Sequence, residues 1–156
     1  TLVRKGESIN LYDKPDEKTL KTVKELVEQS FKRKLRDDWF DGLKEPLVLL
    51  SETGRAAAVI TRGVDGLPYL DKFVVTSAAQ GEGLGAAIWQ VVRARFPAIY
   101  WRSRNTNPVT PWYFLQADSS NRSGHWVVFT IGIEDANLRQ RCVEDSLARD
   151  SGWVEN

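Results

Sequence analysis

Tyr69-Leu70-Asp71-Lys72-Phe73-Val74-Val75 is followed, four residues on, by Gln80-Gly81-Glu82-Gly83-Leu84-Gly85. The first segment reads as a strand with Pro68 at its head, and the second as a glycine-rich turn. From about Glu82 to Phe96 the apolar residues Leu84, Ile88, Val91, Val92 and Phe96 recur at helical spacing, and Pro97 stops the run. Strand, glycine turn and helix in that order make a phosphate cradle. Closely spaced glycines let backbone N–H groups turn inward, and the helix adds its positive end. A flexible turn with a helix cap is the plainer alternative. The pattern lacks the Lys-Ser/Thr of a nucleotide P-loop, and the strands before it read as antiparallel, which argues against a dinucleotide fingerprint.

Toward the N-terminus, Leu47–Ser51 and Ala56–Thr61 read as two strands joined by Glu52-Thr53-Gly54. Val64-Asp65-Gly66 carries the Asp-Gly turn signal into Pro68–Val75. Before them come a short strand, Ser8–Tyr12, and an amphipathic helix, Glu17–Leu35, with Leu20, Val23, Val27 and Phe31 on one face. Asp16 or Asp13 starts that helix. Asp37–Lys44 is an aromatic and acidic loop or short helix. Toward the C-terminus, Ala98–Arg104 is a strand, Pro108–Leu115 a short helix and Ala117–Gly124 a polar loop. Trp126–Ile131 is a strand covered on both faces, Glu134-Asp135 starts a last helix, and Ser151–Asn156 is a tail. The order predicts one α/β domain over residues 1–156, a mixed and mostly antiparallel sheet with helices on both faces.

Composition narrows the function. Lysine and arginine number 22 against 21 acidic residues, so the net charge of +1 gives no global pull toward nucleic acid. No apolar run approaches the roughly 20 residues of a membrane span. One cysteine, Cys142, and one histidine, His125, exclude a disulfide framework and a multi-cysteine or multi-histidine metal site. Cys142 falls one turn after Leu138 and reads as a small core residue. The chain has no methionine and begins at Thr1. We expect it to be cut from something longer.

Three further segments carry candidate chemistry. Strand alternation puts Lys72 on the face of Leu70 and Val74, with Asp71 on the other. An ammonium among apolar neighbours needs an anion. A substrate carboxylate can supply it, unless the side chain snorkels to the rim. In Tyr100-Trp101-Arg102-Ser103-Arg104, the two arginines share a side, as suits bidentate binding of carboxylates. The alternative is a basic edge strand. In Pro111-Trp112-Tyr113-Phe114 the central tyrosine is either core or a proton donor beyond the cleft.

Together these segments, YLDKFVV, QGEGLG, WRSRNTNPVTPWYF and more loosely HWVVF, resemble the acetyltransferase domain of N-acetylglutamate synthases, of the vertebrate type and of the bacterial type fused to an acetylglutamate kinase. The glycine turn alone resembles the pyrophosphate loop of the wider GNAT superfamily. The resemblance implies a GNAT fold whose sheet splays open to admit acetyl-CoA. It implies that Lys72, Arg102, Arg104 and Asn107 hold L-glutamate, and that Tyr113, with Asn107, serves the chemistry near the coenzyme sulfur. Phe73, Val74 and Val75, with Gln80, Gly81, Glu82, Gly83, Leu84 and Gly85, would hold acetyl-CoA. No metal is implied.

An amino-acid-kinase domain in the same chain, a homo-oligomer, and a bacterial cytoplasm in preference to a mitochondrial matrix are the further expectations. The rival is a catalytically silent relative that regulates a kinase, a role that would not need both the glycine turn and the paired arginines. Two departures from the family pattern stand out: Thr130-Ile131, expected to alter packing rather than chemistry, and Ala117-Asp118-Ser119-Ser120.

Overall fold

A computed structural model describes residues 7–154. Its elements are β1 (Ile9–Tyr12), α1 (Glu17–Phe31), β2 (Leu47–Ser51), β3 (Ala56–Arg62), β4 (Pro68–Val75), a single turn α2 (Ser77–Gln80), α3 (Leu84–Arg95), β5 (Ile99–Arg104), α4 (Thr110–Gln116), β6 (Ser119–Ser123), β7 (Trp126–Ile131) and α5 (Ala136–Ala148). Short 3₁₀ turns lie at Phe40–Gly42 and Val64–Gly66. The seven strands form one sheet in the order β1-β2-β3-β4-β5-β7-β6. Each pairing is antiparallel except that of β4 with β5.

Alternation along the strands sorts the core into two layers. Leu47 and Leu49 of β2 join Ile88 and Val92 of α3 and Tyr113 of α4 on one face, while Val48 and Leu50 join Val23 and Val27 of α1 on the other. The second face also carries Tyr69, Tyr100 and the fully buried Cys142 of α5. Burial pushes the Cys142 thiol up to about 11, which fits the core role expected of it.

Local chemistry sets the helix boundaries. Asp16 caps α1 by accepting the Thr19 N–H at 2.8 Å. The helix stops at Phe31 and not at Leu35, because Lys32 adopts a left-handed conformation (φ 54°) and its N–H closes on the Glu28 carbonyl. The helix expected from Glu82 begins at Leu84, since Gly83 is left-handed (φ 75°) and α2 occupies the residues before it.

The segment 117–124, expected as a polar loop, contains β6. Its alternation carries no apolar signal because it is a polar edge strand against β7. The two departures from the family pattern meet here. Ser119 is the register partner of Thr130, their hydroxyls are hydrogen-bonded, and Asp118 accepts the Gly132 N–H at 2.8 Å.

Candidate active site

Strands β4 and β5 touch at a single register pair, Tyr69 with Tyr100, and then part. The gap opens a cleft of about 870 Å³ lined from both faces of the sheet. On the β3 side of β4, the Thr76 N–H reaches the Arg55 carbonyl at 2.9 Å. Antiparallel alternation then directs the peptide groups of Val74 toward β3, and those of Phe73 and Val75 into the gap. The Gln80 amide donates to the Val75 carbonyl at 3.2 Å, from within that gap. A row of peptide groups without a neighbouring strand is thus available to an extended ligand.

The glycine turn sits at the mouth of the gap. Gln80, Gly83 and Gly85 line it, as does Ala86. The first N–H groups of α3 are free of intrahelical partners there, as at any helix start. The space around a Gly83 Cβ is open, whereas a Cβ on Gly85 would come within 3.1 Å of Val75 Cγ2. Gly81 and Glu82 lie outside the cleft lining, and Leu84 is buried in the core. Glu82 pairs with Arg55, which also holds Glu7 at 2.6 Å. That pairing offsets a negative charge beside the start of α3. The cleft therefore has the donors a pyrophosphate needs, from backbone groups more than from side chains.

On the face of α1 and α5 the strand alternation departs from the sequence expectation. Val59 pairs with Lys72 and Ile60 with Leu70, so Asp71 is a bulge residue with no partner on β3. The extra residue puts Asp71 and Lys72 on one side, with Val74 but opposite Leu70. Asp71 therefore can reach the lysine. Its Oδ2 lies 3.2 Å from Lys72 Nζ and accepts the Trp39 indole N–H at 2.9 Å. Both side chains are buried, at 7% and 5% exposure, which makes the carboxylate the answer to the buried ammonium.

Arg102 and Arg104 share this face, as expected, and both stack on Trp126, at 4.0 and 4.7 Å from its ring centre. Arg102 spends much of its fork on the protein. It donates to the carbonyls of Ser146 and Arg149 and to Ser151 Oγ, each at 2.8 Å. Arg104 is exposed and makes no hydrogen bond through its side chain among the described residues. Asn107 Oδ1 accepts the Val109 N–H at 3.2 Å, leaving its amide NH₂ for the cleft.

Tyr113 comes from the opposite face, with its ring among Trp89, Trp101, Trp112 and Phe129. Burial, reinforced by the Tyr69 phenol, raises its pKa above the ordinary phenol value and keeps it protonated. The cleft thus brings together Lys72, Phe73, Val75, Gly83, Gly85, Arg102, Arg104, Asn107 and Tyr113.

The sequence reading missed Arg33, Trp126, Ser151 and Trp153, which line the same cleft. Trp126 could have been placed opposite Arg104 by pairing the two strands in register. The tail offered no periodic signal at all.

A family model for the N-acetyltransferase of N-acetylglutamate synthase matches residues 10–149. The chain is 40% identical over 148 residues to a mitochondrial N-acetylglutamate synthase of Danio rerio, covering 92% of this chain and 28% of the relative. It is 40% identical over 153 residues to an acetylglutamate kinase of Xanthomonas campestris, covering 96% of this chain and 36% of the relative. The chain thus spans about a third of the length of these relatives. Among solved structures, an acetyltransferase of the GNAT family from Staphylococcus aureus superposes with a TM-score of 0.57 at 9% identity, over 79% of this chain and 99% of that one.

Proposed function

The chain belongs to the N-acetyltransferase family of N-acetylglutamate synthase, and we propose that it transfers the acetyl group of acetyl-CoA to the α-amino group of L-glutamate. The observation that carries this reading is the juxtaposition across the β4/β5 gap. Peptide groups of β4 with no neighbouring strand and a glycine-opened helix start meet, in one cleft, a wall of three cations and Asn107. The first suits a pantetheine arm and its pyrophosphate. The second suits an acceptor with two carboxylates.

In this reading, Arg104 and the Asn107 amide, with the remaining donors of Arg102, bind the two carboxylates, and Lys72, whose ammonium is bonded to Asp71 and Ser151, adds its charge to the wall. The glutamate amine, once neutral, attacks the thioester carbonyl. Holding the two groups together supplies much of the rate. The carbonyl oxygen gains the charge and lies against the Val75 N–H. The tetrahedral adduct then collapses. The C–S bond breaks, the thiolate takes the Tyr113 proton, and the Tyr113 phenolate, disfavoured by burial, regains a proton from solvent. The amine's own proton leaves through water, because Asp71 is committed to Lys72 and Trp39.

We further propose that this unit accompanies an amino-acid-kinase domain in one chain, within a homo-oligomer, and works in the bacterial cytoplasm. The kinase reading is supported by the name and greater length of the Xanthomonas campestris relative. An acetyl-CoA assay against a panel of amino acids tests the activity. L-Glutamate should be the best acceptor, and L-glutamine and glycine much poorer, since each leaves a cation without its carboxylate. Equal rates with glutamine would remove this reading of the cations. No acetyl transfer to any amine would favour the silent regulatory relative.

A further inference from the structure

Lys72 and Arg102 both end on one residue of the C-terminal segment. Lys72 Nζ donates to the Ser151 carbonyl at 2.8 Å, and Arg102 donates to Ser151 Oγ at the same distance. The next residue, Gly152, is left-handed (φ 84°), and a Cβ there would lie 2.3 Å from Trp39 Cδ1. Only glycine makes this turn, and the turn delivers Trp153. Backbone bonds fix the strap on both sides: Arg36 N–H to the Gly152 carbonyl at 2.7 Å, and Val154 N–H to the Lys34 carbonyl at 2.8 Å. The Trp153 ring packs on Phe31 at 5.3 Å between centres, with Lys72 Nζ 5.2 Å and the Arg33 guanidinium carbon 5.0 Å from its ring centre. Arg33 has no carboxylate partner among the described residues, and it lines the cleft together with Ser151 and Trp153.

We propose that the strap Ser151–Trp153 is a wall of the acceptor pocket, and that Trp153 is a positioning residue for dicarboxylate amino acids. Its ring holds the Lys72 ammonium and the Arg33 guanidinium in the cleft, so that Arg33 joins the cations that meet the acceptor's carboxylates. An aromatic face attracts a cation within about 6 Å, and more strongly where water is excluded. Losing the ring lets the Arg33 guanidinium withdraw into solvent before an acceptor arrives, and opens to water the Lys72 ammonium that Asp71 and Ser151 still hold. The inference rests on the proposed acetyl transfer to glutamate.

Steady-state kinetics of the chain with acetyl-CoA and L-glutamate test it. Trp153→Leu should raise the KM for glutamate by about 3- to 30-fold, the range that a cation over a ring contributes. The KM for acetyl-CoA and kcat should stay within about twofold. Trp153→Phe keeps a ring and should stay within about threefold of wild type. Arg33→Gln removes an exposed charge without touching the core, and should raise only the glutamate KM. An unchanged glutamate KM in Trp153→Leu, or equal rises in both KM values, overturns the proposal and leaves Trp153 a packing residue. If Trp153→Leu does not fold, Arg33→Gln decides, and an unchanged glutamate KM there overturns it. A wild-type chain that does not acetylate glutamate at all takes down the underlying reading and this inference together, so the two failures are told apart.

Discussion

Arg102 is expected to hold the fold as well as the substrate, and Arg102→Lys separates the two roles. The guanidinium makes three bonds of 2.8 Å, two of them to carbonyls at the C-terminal end of α5. That end carries partial negative charge, which strengthens donation by a cation. A lysine keeps the charge but not the fork, and from the same strand position it should satisfy one of the three acceptors. Each lost charge-assisted bond contributes about 1.5–3 kcal/mol. Arg102 is half-buried, so water recovers part of this, and a net loss of about 2–3 kcal/mol is expected. For a domain of this size that corresponds to a fall in Tm of about 4–12 °C. Arg104→Lys is the control, since Arg104 is exposed and makes no hydrogen bond through its side chain among the described residues. It should melt within about 2 °C of wild type. Thermal unfolding without ligand measures both. If Arg102→Lys also melts within about 2 °C of wild type, the bonds to the end of α5 do not support the fold, and the reasoning fails.

Four other outcomes follow from particular positions. Gly132→Ala places a methyl 2.3 Å from the Pro97 carbonyl at a left-handed φ of 71°, and should lose at least about 2 kcal/mol in urea unfolding. Gly124→Ala, left-handed but in open space, should lose only about 1 kcal/mol. Gly83→Asn keeps an accessible left-handed residue in open space, so melting should change little, while the KM for acetyl-CoA rises about tenfold or more and that for glutamate does not. An unchanged acetyl-CoA KM would show that the turn is not a phosphate cradle. Burial raises the Tyr113 pKa, and the protonated phenol is the proposed donor. Its proton is therefore present at and above the ordinary phenol pKa, and kcat should show no basic loss from this group at about pH 10. A fall in kcat that is centred near the ordinary phenol value and absent in Tyr113→Phe would contradict this.

Much of the fold was legible because its signals are local. The glycine turn, Pro97 and the Asp-Gly turn punctuate the chain, and the apolar period of α3 and the short apolar run of β7 fix their type. What the sequence hid was cooperative. β6 is polar because it is an edge, so alternation carries no apolar signal. α1 ends at Lys32 on backbone geometry while its apolar spacing runs on to Leu35. In the site, the motif residues Lys72, Arg102, Arg104, Asn107 and Tyr113 do converge on one cleft. The strap does not announce itself, because Ser151, Gly152 and Trp153 gain their roles only from contacts with residues distant in the sequence, such as Arg33, Arg36, Trp39, Lys72 and Arg102.

The bulge at Asp71 has a further consequence. A strand's two faces are a matter of parity, and one unpaired residue switches odd for even. Asp71 is the unpaired residue, so its deletion would leave Leu70 beside Ile60 and Lys72 beside Val59, on the faces they already hold, and would restore ordinary alternation. The edge-on contact of Tyr69 with Tyr100, 5.1 Å between ring centres at the one point where β4 and β5 meet, would keep its register. What the deletion would remove is the carboxylate beside the buried Lys72 ammonium, which also accepts the Trp39 indole N–H. The bulge is therefore what lets an acid and a base stand side by side on one face of a strand, a neighbourhood that ordinary alternation forbids.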